Sequence, residues 1–219
     1  LTLRQPSYTK SVSKIEGWWS VVHEWRGIAL FIIRQKRYRA LVFFFAFWQA
    51  VQDAIDLFSQ LFFTFINIPT RFFGFIYAAN RILQGVGGQL AYLLKRTMST
   101  LQMIGFFSIS LVLFFFTGGF ANQYVGLLLF PARNFLEGLS VPLRSGMLNK
   151  EITKGNRITL LSVKPTLTRL IQTVLVFVLG LLFDTLSVTH VFLTTGVAVA
   201  VILFLLYITA ARSLVPEKA

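Results

Sequence analysis

Cysteine is absent from the chain, and charge is scarce: Asp, Glu, Lys and Arg make up 13% of its 219 residues, against about 25% in ordinary soluble domains. The first absence excludes disulfide frameworks, thiolate metal sites and cysteine nucleophiles, and leaves the redox compartment open. Histidine is limited to His23 and His190, far apart in the chain, so no histidine-based metal centre is expected. HExxH and GxSxG runs are missing as well, which removes the usual signatures of zinc and serine hydrolases. Neither an enzyme nor a cofactor is expected.

What fills the chain is apolar, at 55% hydrophobic residues, and the composition reads as an integral, multi-pass membrane protein, with the cell (inner) membrane as the expected location. The net charge of +13 invites a nucleic-acid reading. The basic residues, however, collect between apolar runs and no aromatic-basic recognition motif accompanies them, so they are read as topology signals facing anionic lipid, with no nucleic acid as partner.

A bilayer core of about 30 Å needs about 20 mostly apolar helical residues. Six such runs are present, near 40–62, 72–93, 101–117, 124–146, 160–183 and 189–210. Pro131, Pro142 and Pro165 fall inside the fourth and fifth, where proline in a packed membrane helix kinks more often than it ends the helix. Alternate connections hold fifteen lysines and arginines on one side and Arg71 alone on the other. That asymmetry predicts an even number of spans with both termini cytoplasmic. The division is therefore a cytoplasmic linker at 1–38, a six-helix transmembrane domain at 39–211 and a tail at 212–219. Within the linker, Ile15, Trp18, Trp19, Val22, Trp25, Ile28 and Ile32 recur near helical period among basic residues, which predicts an interfacial amphipathic helix. No signal peptide is evident, and a chain that opens on Leu1 is expected to be a fragment.

Ionisable residues are unevenly shared. The first span carries Asp53 and Asp56, the second Arg81, the fourth Arg133 and Glu137, the fifth Lys164 and Arg169; the third and sixth carry none. An intramembrane charge costs at least about 2.5 kcal/mol on insertion scales and persists where it faces a cavity or another charge. Spans one, two, four and five are therefore expected to surround something polar, with three and six facing lipid. The charged-charged-apolar order, given twice, predicts an all-α fold built as a three-plus-three repeat. At about 100° per residue, Gln49, Gln52, Asp53, Asp56 and Gln60 form one stripe. Tyr77, Arg81, Gln84 and Gly88 align on the second span, Arg133, Glu137, Ser140 and Arg144 on the fourth, and Lys164, Thr168 and Gln172 on the fifth, from which Arg169 diverges. Counting rise along each span puts Gln49 to Asp53, Arg81, Arg133 and Arg169 near mid-bilayer.

Asp53, Asp56 and Glu137 are the carboxylates away from span ends, and are the candidates for carrying a proton. Gln49, Gln52, Gln60, Tyr77, Asn80, Arg81, Gln84, Arg133, Asn134, Lys164, Thr168 and Gln172 are the candidate lining of a substrate cavity, with Trp48 as a further apolar wall. Buried ion pairs that merely fix helix register are the bland alternative.

The run "VPLRSGMLNKEITKGNRITLLSVKPTLTRL", with Pro142, Arg144, Asn149, Arg157, Thr159 and Ser162, and the "GLLFD" from Gly180 to Asp184 resemble the C-terminal half of a major facilitator superfamily transporter, helices seven to twelve. "GGQLAYLLKRTMS" keeps Gly88 and the pair Lys95 and Arg96 of that family's loop signature but lacks its acid and later glycine. The resemblance implies alternating access, gating or loop roles for Lys95, Arg96, Arg144, Arg157 and Asp184, and an N-terminal six-helix half that is missing here. The expected function is a secondary active transporter of a small organic solute, proton-coupled as symporter or antiporter. The alternatives are a nontransporting membrane scaffold or truncated half-transporter and, less favoured, a membrane-embedded lipid enzyme. Mitochondrial carriers and aquaporins are excluded by the missing P-x-[DE]-x-x-[KR] and by "NIPT" in place of an N-P-A loop.

Overall fold

The computed structural model describes residues 35–151 and 157–214. The expected interfacial helix, the loop at 152–156 and the tail beyond Leu214 lie outside the described residues. The described residues form six α-helices and no strand: α1 (Lys36–Phe65), α2 (Phe73–Thr97), α3 (Thr100–Gly119), α4 (Gln123–Glu151), α5 (Arg157–Thr185) and α6 (Val188–Leu214), with one 3₁₀ turn at Thr70–Phe72. Each expected apolar run falls inside one helix. Four of them, α1, α3, α5 and α6, are long and apolar enough to cross a membrane. At about 1.5 Å per residue the 20-residue α3 matches a bilayer core and the 30-residue α1 exceeds it.

Local chemistry sets the helix ends. The α1 helix stops in a Schellman turn, in which Ile68 N–H bonds to Phe63 O at 2.9 Å and Asn67 N–H to Thr64 O at 3.0 Å. Asn67 takes the left-handed conformation this turn requires, with φ of 61°, and Pro69 blocks any continuation. Ser99 opens α3 with a capping box: its hydroxyl accepts from Gln102 N–H at 3.4 Å, and Gln102 Oε1 accepts from Ser99 N–H at 2.8 Å. The Asn122 side chain accepts from the backbone N–H groups of Tyr124 and Val125 at the start of α4. These reversals are short, so successive helices run antiparallel. Pro131, Pro142 and Pro165 all lie within continuous helix, as expected for prolines supported by neighbours.

The most extensive helix pairs are α2 with α4, α3 with α6 and α1 with α5; α1 also packs on α6 and α4, and α3 on α4. Helix α1 is central: 72% of its apolar window is buried, against 11% for α5. The core is rich in phenylalanine, with Phe62, Phe63, Phe114, Phe130 and Phe192 meeting ring to ring at centroid distances of 4.9 to 6.1 Å. Such geometry adds to the area each ring buries. The outer faces of α3 and α6 expose Ile109, Leu113, Val201 and Phe204, in keeping with lipid contact. Yet α5, one of the charge-bearing helices, is the most exposed of the apolar four.

Helices α2 and α4 cross at glycines. A Cβ on Gly138 would collide with the backbone carbonyl of Gln84, and one on Gly87 with that of Phe135. Backbone meets backbone there, which only residues without side chains allow. Pro142 cannot donate to the carbonyl of Gly138, which faces Gly88 across the same crossing.

Substituting alanine at these glycines separates two explanations of why they are there. Gly138→Ala and Gly87→Ala should each lower stability by about 1–3 kcal/mol, the cost of overpacking. Gly85→Ala, where a Cβ meets open space, should be neutral or stabilising by up to about 1 kcal/mol. Thermal unfolding in detergent reads both, and equal effects at all three sites would remove the crossing as the cause.

Candidate functional site

The polar stripe of α1 faces the crossing of α2 with α4. Gln49 and Gln52 are buried, Asp53 and Asp56 are partly exposed, and Gln60, one turn further, is exposed and makes no side-chain hydrogen bond among the described residues. The spacing of three and four residues stacks these side chains along one face.

Arg133 of α4 is the centre. Its side chain is only 2% exposed. One terminal nitrogen donates to Asp56 Oδ1 and lies 3.5 Å from Glu137 Oε2, and the other donates to the backbone carbonyl of Gln52 at 3.2 Å. The guanidinium lies over the rings of Phe130 and Phe114, at 5.7 and 5.9 Å from their centroids. A buried cation is thus met by two carboxylates, one carbonyl and two aromatic faces. Its Nε and the Oε1 of buried Gln52 have no hydrogen-bond partner among the described residues, so hydrogen-bonding capacity remains at the centre.

From Arg133 the contacts run outward both ways. Asp56 also meets Arg81 of α2 at 3.6 Å, and Arg81 donates to Gln84 at 2.8 Å. In the other direction Gln49 spans two acids, its amide donating to Asp53 at 2.6 Å and reaching Glu137 at 3.4 Å, while its Oε1 accepts from Arg144. Asp53 in turn meets Arg169 of α5 at 3.4 Å, and Arg169 donates to Gln172 at 2.6 Å. One continuous chain of polar contacts therefore joins the four helices that carry charge. Each member lies about two turns or more from the ends of its helix.

Burial divides the chain into a closed and an open part. Arg133, Glu137 and Gln52 are buried, whereas the side chains of Arg81 and Arg169 are 59% and 72% exposed. Half-buried Lys164 has no carboxylate within 4.0 Å among the described residues, although Arg144, Asp53 and Glu137 all act on it electrostatically. Five cations, Arg81, Arg133, Arg144, Lys164 and Arg169, thus meet three carboxylates, and the two most exposed of them, Arg81 and Arg169, stand on α2 and α5.

Two face assignments are corrected. Arg169, expected to diverge from the polar face of α5, joins it, because a guanidinium on a long flexible stem spans the angular offset that helix arithmetic assigns to its Cα. Trp48, expected as a cavity wall, is a core residue: its indole donates to Phe107 O at 3.1 Å and its ring packs on that of Phe107. Of the remaining candidates, Tyr77 shares a 2.7 Å hydrogen bond with Ser59, Asn134 donates to Phe130 O within its own helix, and Thr168 donates to Lys164 O. Asn80 is buried, its Oδ1 lacking a hydrogen-bond partner among the described residues. Lys95 and Arg96 lie exposed in the last turn of α2, and Asp184 is exposed near the end of α5. The Arg157 side chain lies outside the described residues.

Three contributors had gone unassigned from sequence. Ser59 holds Tyr77, and Phe114 and Phe130 form the aromatic floor; serine and phenylalanine in an apolar run carry no distinguishing signal. Arg144, given a loop role by resemblance, instead reaches into the network, as its alignment with Arg133, Glu137 and Ser140 allowed. A cavity of about 250 Å³ between α3 and α4 reaches Gln52 and Arg133 from the side. Among the described residues no cluster of His, Cys, Asp and Glu is arranged to hold a metal.

The chain matches no protein-family model, no curated protein and no solved structure.

The weight carried by Arg133 can be measured by breaking and then removing the network. Arg133→Met alone should cost about 3–5 kcal/mol, because it strands two carboxylates. Adding Asp56→Leu and Glu137→Leu should recover most of that loss. Arg81→Gln or Arg169→Gln, at exposed ends of the chain, should each change stability by less than about 1 kcal/mol. Unfolding midpoints in detergent give all of these values.

Proposed function

We propose that the chain is one six-helix unit of a secondary active transporter that moves a small organic solute by alternating access, coupled to protons. The observation that carries this reading is the half-open network itself. Three carboxylates and five cations gather inside four helices, and two of the cations, Arg81 and Arg169, keep side chains 59% and 72% exposed. Intramembrane charge kept at such cost is characteristic of a substrate or ion pathway.

The packing supports a three-plus-three repeat of six membrane spans. Exchanging α1 with α4, α2 with α5 and α3 with α6 turns each major contact into another major contact: α2 on α4 becomes α5 on α1, and α1 on α6 becomes α4 on α3. The two pairs α3 with α6 and α1 with α4 map onto themselves. This self-consistency is what a pseudo-two-fold relation between the two triplets would produce, and it supports the repeat. Helices α2 and α4 are less apolar than the other four, and in this reading they complete the six spans.

A second six-helix unit, the expected N-terminal half, would close the open face. Helices α2 and α5 expose Phe75, Ile82, Leu170, Val174 and Phe177 as well as Arg81 and Arg169, a mixture of apolar surface and charge suited to a helical partner with a shared cavity. In the proposed cycle Glu137 carries the proton. It is the most buried of the three carboxylates and the one with no close contact, its two partners lying at 3.4 and 3.5 Å. Neutralising it leaves Arg133 to Asp56 alone and releases Gln49 towards Asp53 and Arg144. A proton on one side chain thereby shifts contacts on two helices, α1 and α4.

A nontransporting scaffold is the second reading, favoured by the enclosure of Arg133, which has the layout of a structural clamp.

Flux measurements separate the two. Organic acids and amines are screened for stabilisation of the detergent-solubilised full-length protein, and those that bind are tested in proteoliposomes. Glu137→Gln should abolish pH-gradient-driven flux, by about 100-fold or more, a general-acid-sized loss, while solute exchange without a gradient persists. Gradient-driven flux that survives in Glu137→Gln, Asp53→Asn and Asp56→Asn would refute proton coupling through the network; no flux of any binder would favour the scaffold. Topology is tested independently. Because the chain has no cysteine, single cysteines at Thr97 and Asn122 should react with impermeant reagents from opposite sides of the membrane, Thr97 from the cytoplasm.

A further inference from the structure

The first turns of α1 and the last turns of α6 enclose a cavity of about 520 Å³ that the transport reading leaves unused. Lys36, Arg39 and Arg212 line it at the helix ends, and Ala40, Phe43 and Leu206 line it further in. Among the described residues no carboxylate lines it. Its two walls are tied together, as Arg37 Nε donates to the backbone carbonyl of Ser213 at 3.3 Å.

The order of polarity along the cavity identifies its ligand. On α1, Lys36, Arg39 and Phe43 follow at spacings of three and four, so one face passes from cation to apolar ring within about two turns, or roughly 10 Å. On α6, Arg212, Thr209 and Leu206 make the same passage from the other chain direction. Phe43 is 42% exposed, so the apolar part is open rather than sealed in the core. A soluble anion has no use for the apolar floor, and a neutral lipid none for three cations.

We propose that this cavity binds the headgroup phosphate of an anionic phospholipid, with an acyl chain along Phe43 and Leu206. The site needs only that α1 and α6 lie in a membrane, and it stands or falls separately from transport. Three cations at such a surface each attract an anionic headgroup by about a factor of five. The lipid joins the helix that holds Gln49, Asp53 and Asp56 to the last helix of the bundle.

The test uses the full 219-residue chain in detergent, titrated with phosphatidylglycerol, phosphatidylcholine or inorganic phosphate while the melting temperature is followed. Phosphatidylglycerol should stabilise at concentrations about 100-fold below phosphatidylcholine, and inorganic phosphate should not stabilise at all. Lys36→Gln with Arg212→Gln should weaken the phosphatidylglycerol response about 30-fold, leaving the lipid-free melting temperature unchanged because both side chains are exposed. Phe43→Asp, at a partly exposed position, should abolish it by placing an acid on the floor. Lys95→Gln with Arg96→Gln, removing two exposed cations elsewhere, should leave it intact. The proposal is overturned by equal stabilisation from phosphatidylcholine, by stabilisation from inorganic phosphate, by no lipid response, by an unaltered response in the Lys36 and Arg212 double variant or in Phe43→Asp, or by an equal loss in the Lys95 and Arg96 control.

Discussion

A single buried guanidinium organises this bundle. Arg133 cannot lose its charge, and it lies where water does not reach, so the fold has to bring acceptors to it. Asp56 and the Gln52 carbonyl come from α1, Glu137 from its own helix, and the faces of Phe114 and Phe130 from α3 and α4. The positions of α1, α3 and α4 about that point follow from the demand. Packing then places α2 against α4 through glycine and α5 against α1, which brings Arg81 and Arg169 to the two acids of α1 that Arg133 does not saturate.

The network is graded rather than uniformly buried. Around Arg133 the effective dielectric is low, and removal of one partner is costly; at Arg81 and Arg169 the same ion pairs stand in the open and contribute little to stability. Stability is therefore concentrated on the side of α4, and chemical freedom on the side of α2 and α5. A site that must bind and release a solute needs such a gradient, since groups locked in ion pairs on all sides are unavailable to a ligand.

Much of this was readable from residues alone, and the reasons are specific. The six helices follow from apolar length, whereas their ends at Asn67, at Ser99 with Gln102 and at Asn122 are set by local capping chemistry that a count of apolar runs does not register. The stripe from Gln49 to Asp56 follows from the 3.6-residue period, because α1 is straight enough for neighbours at three and four to stack. What one-dimensional reasoning could not supply was reach and pairing. The angular position of a Cα does not say where an arginine's guanidinium ends, so Arg169 was misplaced; and an arginine can rest on any phenylalanine in a chain that has 24, so Phe114 and Phe130 could not be singled out. Charge content likewise did not rank burial, since α5 with its two cations is more exposed than α3 or α6 with none in mid-span.

The glycine crossing has a mechanical consequence. Where Gly87 and Gly138 set backbone against backbone, no side chain is left to change rotamer and take up slack, so a displacement of one helix passes undiminished to the other. Arg81 lies under two turns from that contact on α2, and Glu137 is the immediate neighbour of Gly138 on α4. The pair forms a stiff crossbar with a cation on one arm and an acid on the other. A push at the exposed arginine is delivered to the buried glutamate with no compliant joint between them.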